Sequence, residues 1–382
     1  MELYKFVSPE IIFGRGALEQ VGESLVRLGV KKVFIVSDPG VMEAGWVDKA
    51  VPPIKEAGLD YIIWHDITSN PKDHEVHKGL EKYLETGCNA VLGIGGGSSI
   101  DTAKAIALLS TNGGHISDFE GADKVQQALP PIVAVPTTAG SGAEVTQLAV
   151  VTNTKRQMKM VIGSKSLVPD ISLIDPRTLT TKDKQLTANT GMDALTHAIE
   201  AYVSLAATPL TDIQALNAIK LATRYLPVSV SNRTNLEAKD AMAMASLQAG
   251  LALSNAILGL VHAMSHQLGG LLDMPHGEAN AILLPSVMEY NLSSAIERFG
   301  SIAEAMDQRV FGLSRRDAAQ KAIEAVRRLA KDIGILEKLP EVGLTDELLI
   351  KLSENAMVDV CIITNPKEVQ VDDILKLFTA VL

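Results

Sequence analysis

Residues 90–104 read AVLGIGGGSSIDTAK. Ala90–Ile94 is a short, apolar, Val- and Leu-bearing run of the kind that forms a buried strand. Gly93, Gly95, Gly96 and Gly97 then place four glycines in five positions, and Ser98 onward begins a helical pattern. Glycines let a backbone come close to a ligand with no Cβ in the way. The unpaired N–H groups of a helix start, with the helix dipole, suit a phosphate such as the pyrophosphate of a dinucleotide. The strict G-x-G-x-x-G fingerprint is absent, because Ser98 stands at its last glycine and the motif follows a third strand rather than a first. A tight strand-to-helix turn without a ligand is the plainer reading, but it needs fewer glycines.

Outward from this turn the first half alternates. Residues 31–37 (KKVFIVS), 61–64 (YIIW), 131–135 (PIVAV), 148–152 (LAVVT) and 171–174 (ISLI) read as further buried strands. Helical stretches at 16–28, 73–86 and 99–110 fall among them. Strand–helix alternation predicts an α/β domain with a mostly parallel sheet covered on both faces. After about Thr180 no strand pattern remains. Thr208-Pro209 opens a helix expected to end by Pro227. Ser314-x-x-Asp317 has the form of a capping box, and Gly334 closes the helix it begins. The expected organisation is thus an α/β domain over residues 1–180 and an all-α domain over residues 181–382.

With 382 residues, two domains can bury cores of their own. A net charge of −10 speaks against nucleic acid and anionic membranes as partners, since both call for clustered Lys and Arg. Cys88 and Cys361 are the two cysteines and form no framework, so a reducing, cytoplasmic compartment is expected. The start, MELYKFVSPE, lacks the apolar stretch of a secretory signal. Residues 241–272 contain no Asp, Glu, Lys or Arg, a length that spans a bilayer. They also carry Gln248, Asn255, His262, His266, Gln267 and four glycines, costly in lipid, so a buried helix or helix pair is the expectation rather than a membrane span.

Two further motifs carry chemistry. PTTAGSGAEVT, residues 136–146, leaves the end of another strand with hydroxyls and open glycine backbone. Ligands of open α/β sheets bind beyond the carboxyl ends of strands, so both glycine loops are expected to line one crevice. In the second half, GMDALTHAIEAY sets Asp193 and His197 four apart on one helix face. GLVHAMSHQLGGLLDMPHGEAN sets His262 and His266 four apart, with His276 beyond a glycine- and proline-marked break. An isolated Asp-x-x-x-His is more often a hydrogen-bonding pair. Added to three histidines in an uncharged segment, it suits a Zn or Fe site between facing helices.

Taken together, GGGSSIDTAK, PTTAGSGAEVT, GMDALTHAIEAY and GLVHAMSHQLGG…PHGEANAILLP resemble the iron-containing (group III) alcohol dehydrogenases. The likeness covers nearly the whole chain, including the NPK at 365–367. It implies a dehydroquinate synthase-like architecture, in which a dinucleotide-binding α/β domain precedes a helical metal-binding and catalytic domain. It implies that Asp193, His197, His262 and His276 hold one divalent metal, Fe(II) or in some members Zn(II). His266 corresponds to an extra histidine beside substrate and nicotinamide that is not a ligand. For NAD the resemblance points to Gly96, Gly97, Ser98 and Asp101 at the pyrophosphate, Asp38 at the adenosine ribose, and Asn70, Thr137, Thr138, Thr146, Lys159 and Leu179 elsewhere. Ser141 and Ala143 stand where Thr and Ser are commoner. The implied activity is an NAD-dependent oxidoreductase acting on a small alcohol, with primary alcohols, short diols, lactaldehyde and hydroxy acids all represented. A homo-oligomer, dimer or higher, is expected.

Metal coordination lowers an alcohol's pKa, and His266 with waters would relay the hydroxyl proton. Asp38 is expected to favour NAD over NADP. Its carboxylate can accept from a ribose 2′-OH and repels a 2′-phosphate. Two rivals remain. A dehydroquinate-synthase-like lyase would need Arg and Lys that residues 193–277 scarcely offer. A metal-dependent hydrolase without nicotinamide would leave Asp38 and the glycine loops unexplained.

Overall fold

The computed structural model describes residues 4–339 and 344–382. The chain forms two compact units, Val7–Thr181 and Lys182–Leu382, the second joined by the N-terminal stretch ending at Phe6.

In the first unit nine strands occur among the described residues: β1 (Glu10–Phe13), β2 (Lys32–Val36), β3 (Asp60–Trp64), β4 (Ala90–Gly95), β5 (Gly121–Ala122), β6 (Ile132–Pro136), β7 (Leu148–Asn153), β8 (Met158–Gly163) and β9 (Ile171–Ile174). Six build an all-parallel sheet in the order β1-β9-β6-β4-β2-β3. Alternate residues feed two cores. Val33 and Ile35 pack with Leu92, Ile94, Val133 and Val135 on one face, while Phe34, Val36 and Val91 pack on the other. Each such side chain, fully buried, contributes on the order of 1.5–3 kcal/mol. The helices Trp46–Glu56, Asp73–Thr86 and Gly97–Asn112 cover the sheet.

The small elements differ from expectation. The strand expected at 148–152 lies outside the main sheet. It pairs antiparallel with β8 in a three-stranded sheet of order β5-β8-β7. Strands β1, β5 and β8 had no clear pattern of their own. Pro52 and Pro53 disguise a helix in the sequence, yet both lie inside Trp46–Glu56.

The second unit is helical throughout its described residues. The helices Lys184–Val203, Pro209–Ser231, Leu236–Ala256, Leu260–Leu272 and His276–Asn291 pack closely. Pro227 does not end its helix, which continues to Ser231. The uncharged stretch is two buried helices bent by 103° at 257–259, where Ile257 takes φ +61°. No helix among the described residues is long and apolar enough to cross a membrane alone. Asn365 of the NPK segment stitches this unit. Its Oδ1 accepts from the Leu260 N–H at 3.2 Å, and it pairs reciprocally with Asn291 at 2.9 Å.

Candidate metal centre and dinucleotide loops

The helix Lys184–Val203 carries Asp193 and His197 one turn apart, both buried. His262 lies in the first turn of Leu260–Leu272, and His276 opens the next helix. One ligand atom from each of these four residues falls within 4.8 Å of the others. Asp193 Oδ1 is 3.7 Å from His197 Nε2, 4.0 Å from His262 Nε2 and 3.8 Å from His276 Nε2. Donors around a tetrahedral ion with 2.0–2.3 Å bonds stand roughly 3.3–3.8 Å apart, so the spacing fits a bound cation.

The charge pattern fits as well. The Asn280 amide nitrogen lies 2.7 Å from Asp193 Oδ1 and 3.1 Å from both His262 Nε2 and His276 Nε2. An NH₂ group has two hydrogens, so it cannot serve all three atoms at once. The Asn280 Oδ1 is itself buried without a partner. A carboxylate oxygen and imidazole nitrogens converging on one point are a donor set that a cation would complete.

Glu200, buried one further turn along from His197, prepares His262. Its Oε1 accepts from the Val261 N–H at 2.7 Å and its Oε2 bonds His262 Nδ1. With Nδ1 so occupied, Nε2 faces the cluster. Gly259 permits the approach, since a Cβ there would stand 3.0 Å from Glu200 Oε1. Burial drives the His262 imidazole well below its ordinary value and keeps it in the neutral form that ligates metals. Burial likewise pushes the Glu200 carboxyl up to about 7, against the Val261 N–H and the neighbouring His197. His262 stacks on His197 and meets His276 edge-on. His266 stacks on His276 with centroids 5.4 Å apart, outside the four-donor set, and its Nδ1 bonds Asp359.

The first unit gathers most of the positions expected for a dinucleotide at the carboxyl ends of β2, β4 and β6. There the chain order reverses, with β3 on one side of β2 and β4 on the other. Gly96 precedes the helix Gly97–Asn112 with no side-chain cap, leaving its first N–H groups available. A Cβ at Gly96 would stand 3.3 Å from Thr138 Oγ1, and one at Gly97 would stand 3.0 Å from Ser141. The two glycine loops therefore touch. The Thr137 hydroxyl is buried without a partner. Asp38 accepts from the Val41 N–H at 3.0 Å, capping Pro39–Glu43, and from Ser99 Oγ at 2.8 Å. Asn70 Oδ1 accepts from Lys159 Nζ at 2.7 Å. Leu179 is buried in the turn Pro176–Thr181.

Two expected cofactor positions have their polar groups turned inward. The Asp101 carboxylate accepts from the Val150 N–H at 3.1 Å. The Thr146 hydroxyl and carbonyl accept from the fully buried Lys104, which also reaches the Leu148 carbonyl. These bonds staple the helix Gly97–Asn112 to β7. Sequence reasoning missed Glu200, Asn280 and Asp359. The first two were signalled by spacing, at three residues from His197 and four from His276 on their helices, while Asp359 had no local signal.

A nucleotide-type parallel sheet followed by a helical unit with a carboxylate–imidazole donor cluster suits a metal-dependent dehydrogenase. Family models bear this out. Residues 8–176 match "Iron-containing alcohol dehydrogenase" and residues 187–382 match "Fe-containing alcohol dehydrogenase family, C-terminal". The chain belongs to the iron-containing alcohol dehydrogenase family. It is 43% identical to the NAD-dependent methanol dehydrogenase of Bacillus methanolicus, over 97% of this chain and 98% of that one. It is 44% identical to the 1,3-propanediol dehydrogenase of Citrobacter freundii, over 98% of each. A crystal structure of a 1,3-propanediol oxidoreductase superposes with a TM-score of 0.97 at 43% identity, covering all of both chains.

Proposed function

We propose that this enzyme interconverts a primary alcohol or short diol and the matching aldehyde, with NAD as hydride carrier and a divalent iron held by Asp193, His197, His262 and His276. The observation that carries this reading is the convergence of one ligand atom from each of the four residues within 4.8 Å of the others, with the Asn280 amide beside them. Zn(II) suits the same donors. Residues 1–180 are assigned to dinucleotide binding, and residues 181–382 to the metal and the catalytic step. Relatives named for methanol and 1,3-propanediol support a small alcohol as substrate.

The bound metal supplies Lewis-acid polarisation of the substrate oxygen, and the nicotinamide supplies the hydride acceptor. The chain does the rest. Glu200 orients His262, and burial keeps the ligating imidazole neutral. His266, buried beside the ligands, is the catalytic residue proposed to relay the hydroxyl proton. Gly96, Gly97, Ser98, Thr137 and Thr138 form the pyrophosphate cradle, with the orphaned Thr137 hydroxyl as one donor toward it. Asn70 with Lys159, Leu179 and Asp38 complete the contacts, and Asp101 and Thr146 act by holding the cradle's helix. Two buried free thiols, Cys88 and Cys361, suit a reducing cytoplasm. Exposed Leu205, Leu210 and Ile213, close in sequence, support a homo-oligomer, dimer or higher, to be checked by light scattering.

The test is NADH formation from a panel of alcohols with NAD and Fe(II), before and after chelation. Activity should vanish with the metal and return best with Fe(II). Asp193→Ala and His276→Ala should keep their helical circular dichroism and lose metal by more than the 10–100-fold typical of an outer hydrogen-bond partner. Full turnover in demonstrably metal-free protein, or unchanged metal content in both variants, would refute the assignment.

A further inference from the structure

His266 has its Nδ1 2.8 Å from Asp359 Oδ2, across 93 residues of sequence. Both side chains are about 5% exposed. The other Asp359 oxygen accepts from the Cys361 N–H at 2.9 Å, as the cap of the turn Val360–Thr364. The carboxylate is thus held from two sides, and the buried oxygen facing His266 needs a hydrogen from it. A hydrogen on Nδ1 would meet that need. His266 Nε2 makes no hydrogen bond among the described residues.

His266, Asp359 and Cys361 also place ligand atoms within 4.8 Å of one another. A second metal site is the weaker reading. Two donors around tetrahedral zinc stand about 3.3 Å apart, and 2.8 Å is the length of an N–H···O bond. Burial and the adjacent Asp359 push the Cys361 thiol well above its usual value, so it stays a thiol rather than a ligating thiolate.

We propose that Asp359 is the positioning residue of the proton-transfer step, locking His266 as the Nδ1–H tautomer so that Nε2 is the atom that takes the substrate's hydroxyl proton. This rests on the dehydrogenase reading above. In oxidation the O–H bond breaks and its proton goes to Nε2. The C–H bond breaks with its electron pair, and that hydride goes to NAD⁺. The carbon–oxygen double bond forms, and the alcohol is oxidised as NAD⁺ is reduced. In aldehyde reduction the same nitrogen returns the proton. With the wrong tautomer, Nε2 would present a hydrogen to the hydroxyl and could not accept one.

The experiment uses the full chain loaded with diamagnetic Zn(II) and labelled with [15N]histidine, the His266 signals being identified by their loss in His266→Gln. Wild type should show Nδ1 protonated and Nε2 bare. In Asp359→Asn the amide can donate to Nδ1, and the pattern should invert. Its kcat with 1-propanol or 1,3-propanediol should fall by about 10–100-fold, with alcohol KM within about threefold and zinc content unchanged. Asp359→Glu, which keeps a carboxylate, should retain the Nδ1–H pattern and recover part of kcat. A wild type that forms no NADH from any alcohol overturns the dehydrogenase reading. A wild type that does, yet carries its His266 proton on Nε2, overturns the role of Asp359 alone, as does an Asn variant with undiminished kcat.

Discussion

Asp38 illustrates how one carboxylate meets a local and a distant demand. Its Oδ1 caps a five-residue helix and its Oδ2 accepts from Ser99 at the start of the glycine-loop helix. A carboxylate has about four acceptor sites, so both bonds leave lone pairs for a ribose hydroxyl. A 2′-phosphate there would meet like charge, roughly 4 kcal/mol per unit pair at 4 Å before salt and relaxation reduce it. Asp38→Gly should therefore shift the NADP-to-NAD ratio of kcat/KM upward by at least about tenfold, while metal content stays constant. The lost cap should cost only about a few tenths of a kcal/mol in stability as well. A lowered melting temperature with an unmoved cofactor ratio would leave Asp38 a capping residue only.

At the scale of elements, the donor cluster depends on how closely two helices approach. A Cβ added at Gly277 would fall 2.4 Å from the Asn189 carbonyl oxygen and 3.3 Å from Asp193 Cβ. The helix His276–Asn291 therefore lies against the backbone of Lys184–Val203 beside a proposed ligand. Gly277→Ala must push the helices apart, and overpacking of this kind costs about 1–3 kcal/mol. It should lower thermal stability and weaken metal binding together. Gly300, in the helix Ile296–Ala305, has nothing within 4 Å of an added Cβ. Gly300→Ala should be neutral or stabilising by up to about 1 kcal/mol, without effect on metal. Equal melting temperatures and metal affinities for the two variants would contradict this account.

Whole-unit stability carries a pH signature of its own. Burial pushes the Glu144 carboxyl up to about 7 from an ordinary 4.5, though Lys104 opposes it. A raised carboxyl contributes stability below its unfolded value and loses it as pH rises through the folded value. Wild type should thus lose stability between about pH 5 and 7.5, by at most roughly 3 kcal/mol. Glu144→Gln, which cannot ionise, should show a flatter profile. Both tryptophans, Trp46 and Trp64, lie in Val7–Thr181, so tryptophan fluorescence during urea unfolding reports this unit. Parallel midpoint-versus-pH curves for the two proteins would refute the role of Glu144.

Much of this was legible in the chain alone. Val and Ile runs between helical stretches announced the parallel sheet, because burial on both faces demands continuous apolar strands. The four-residue spacings of Asp193/His197 and His262/His266 placed those pairs on helix faces, since helical geometry is local. The segment 148–152 read correctly as a strand, but which sheet it joins depends on its partner β8, whose run MKMVIG is broken by Lys159. Asp101, Thr146 and Lys104 form a staple that no spacing reveals, because its partners are backbone groups some 42–49 residues away. Asn280 meets Asp193 across 87 residues, Glu200 meets His262 across 62, and Asp359 meets His266 across 93. Residue type, helix period and cap chemistry act within one or two turns and are written in the sequence. Which buried donor ends beside which acceptor is decided when the helices pack, because each buried polar group must then take whatever partner the fold brings within about 3 Å.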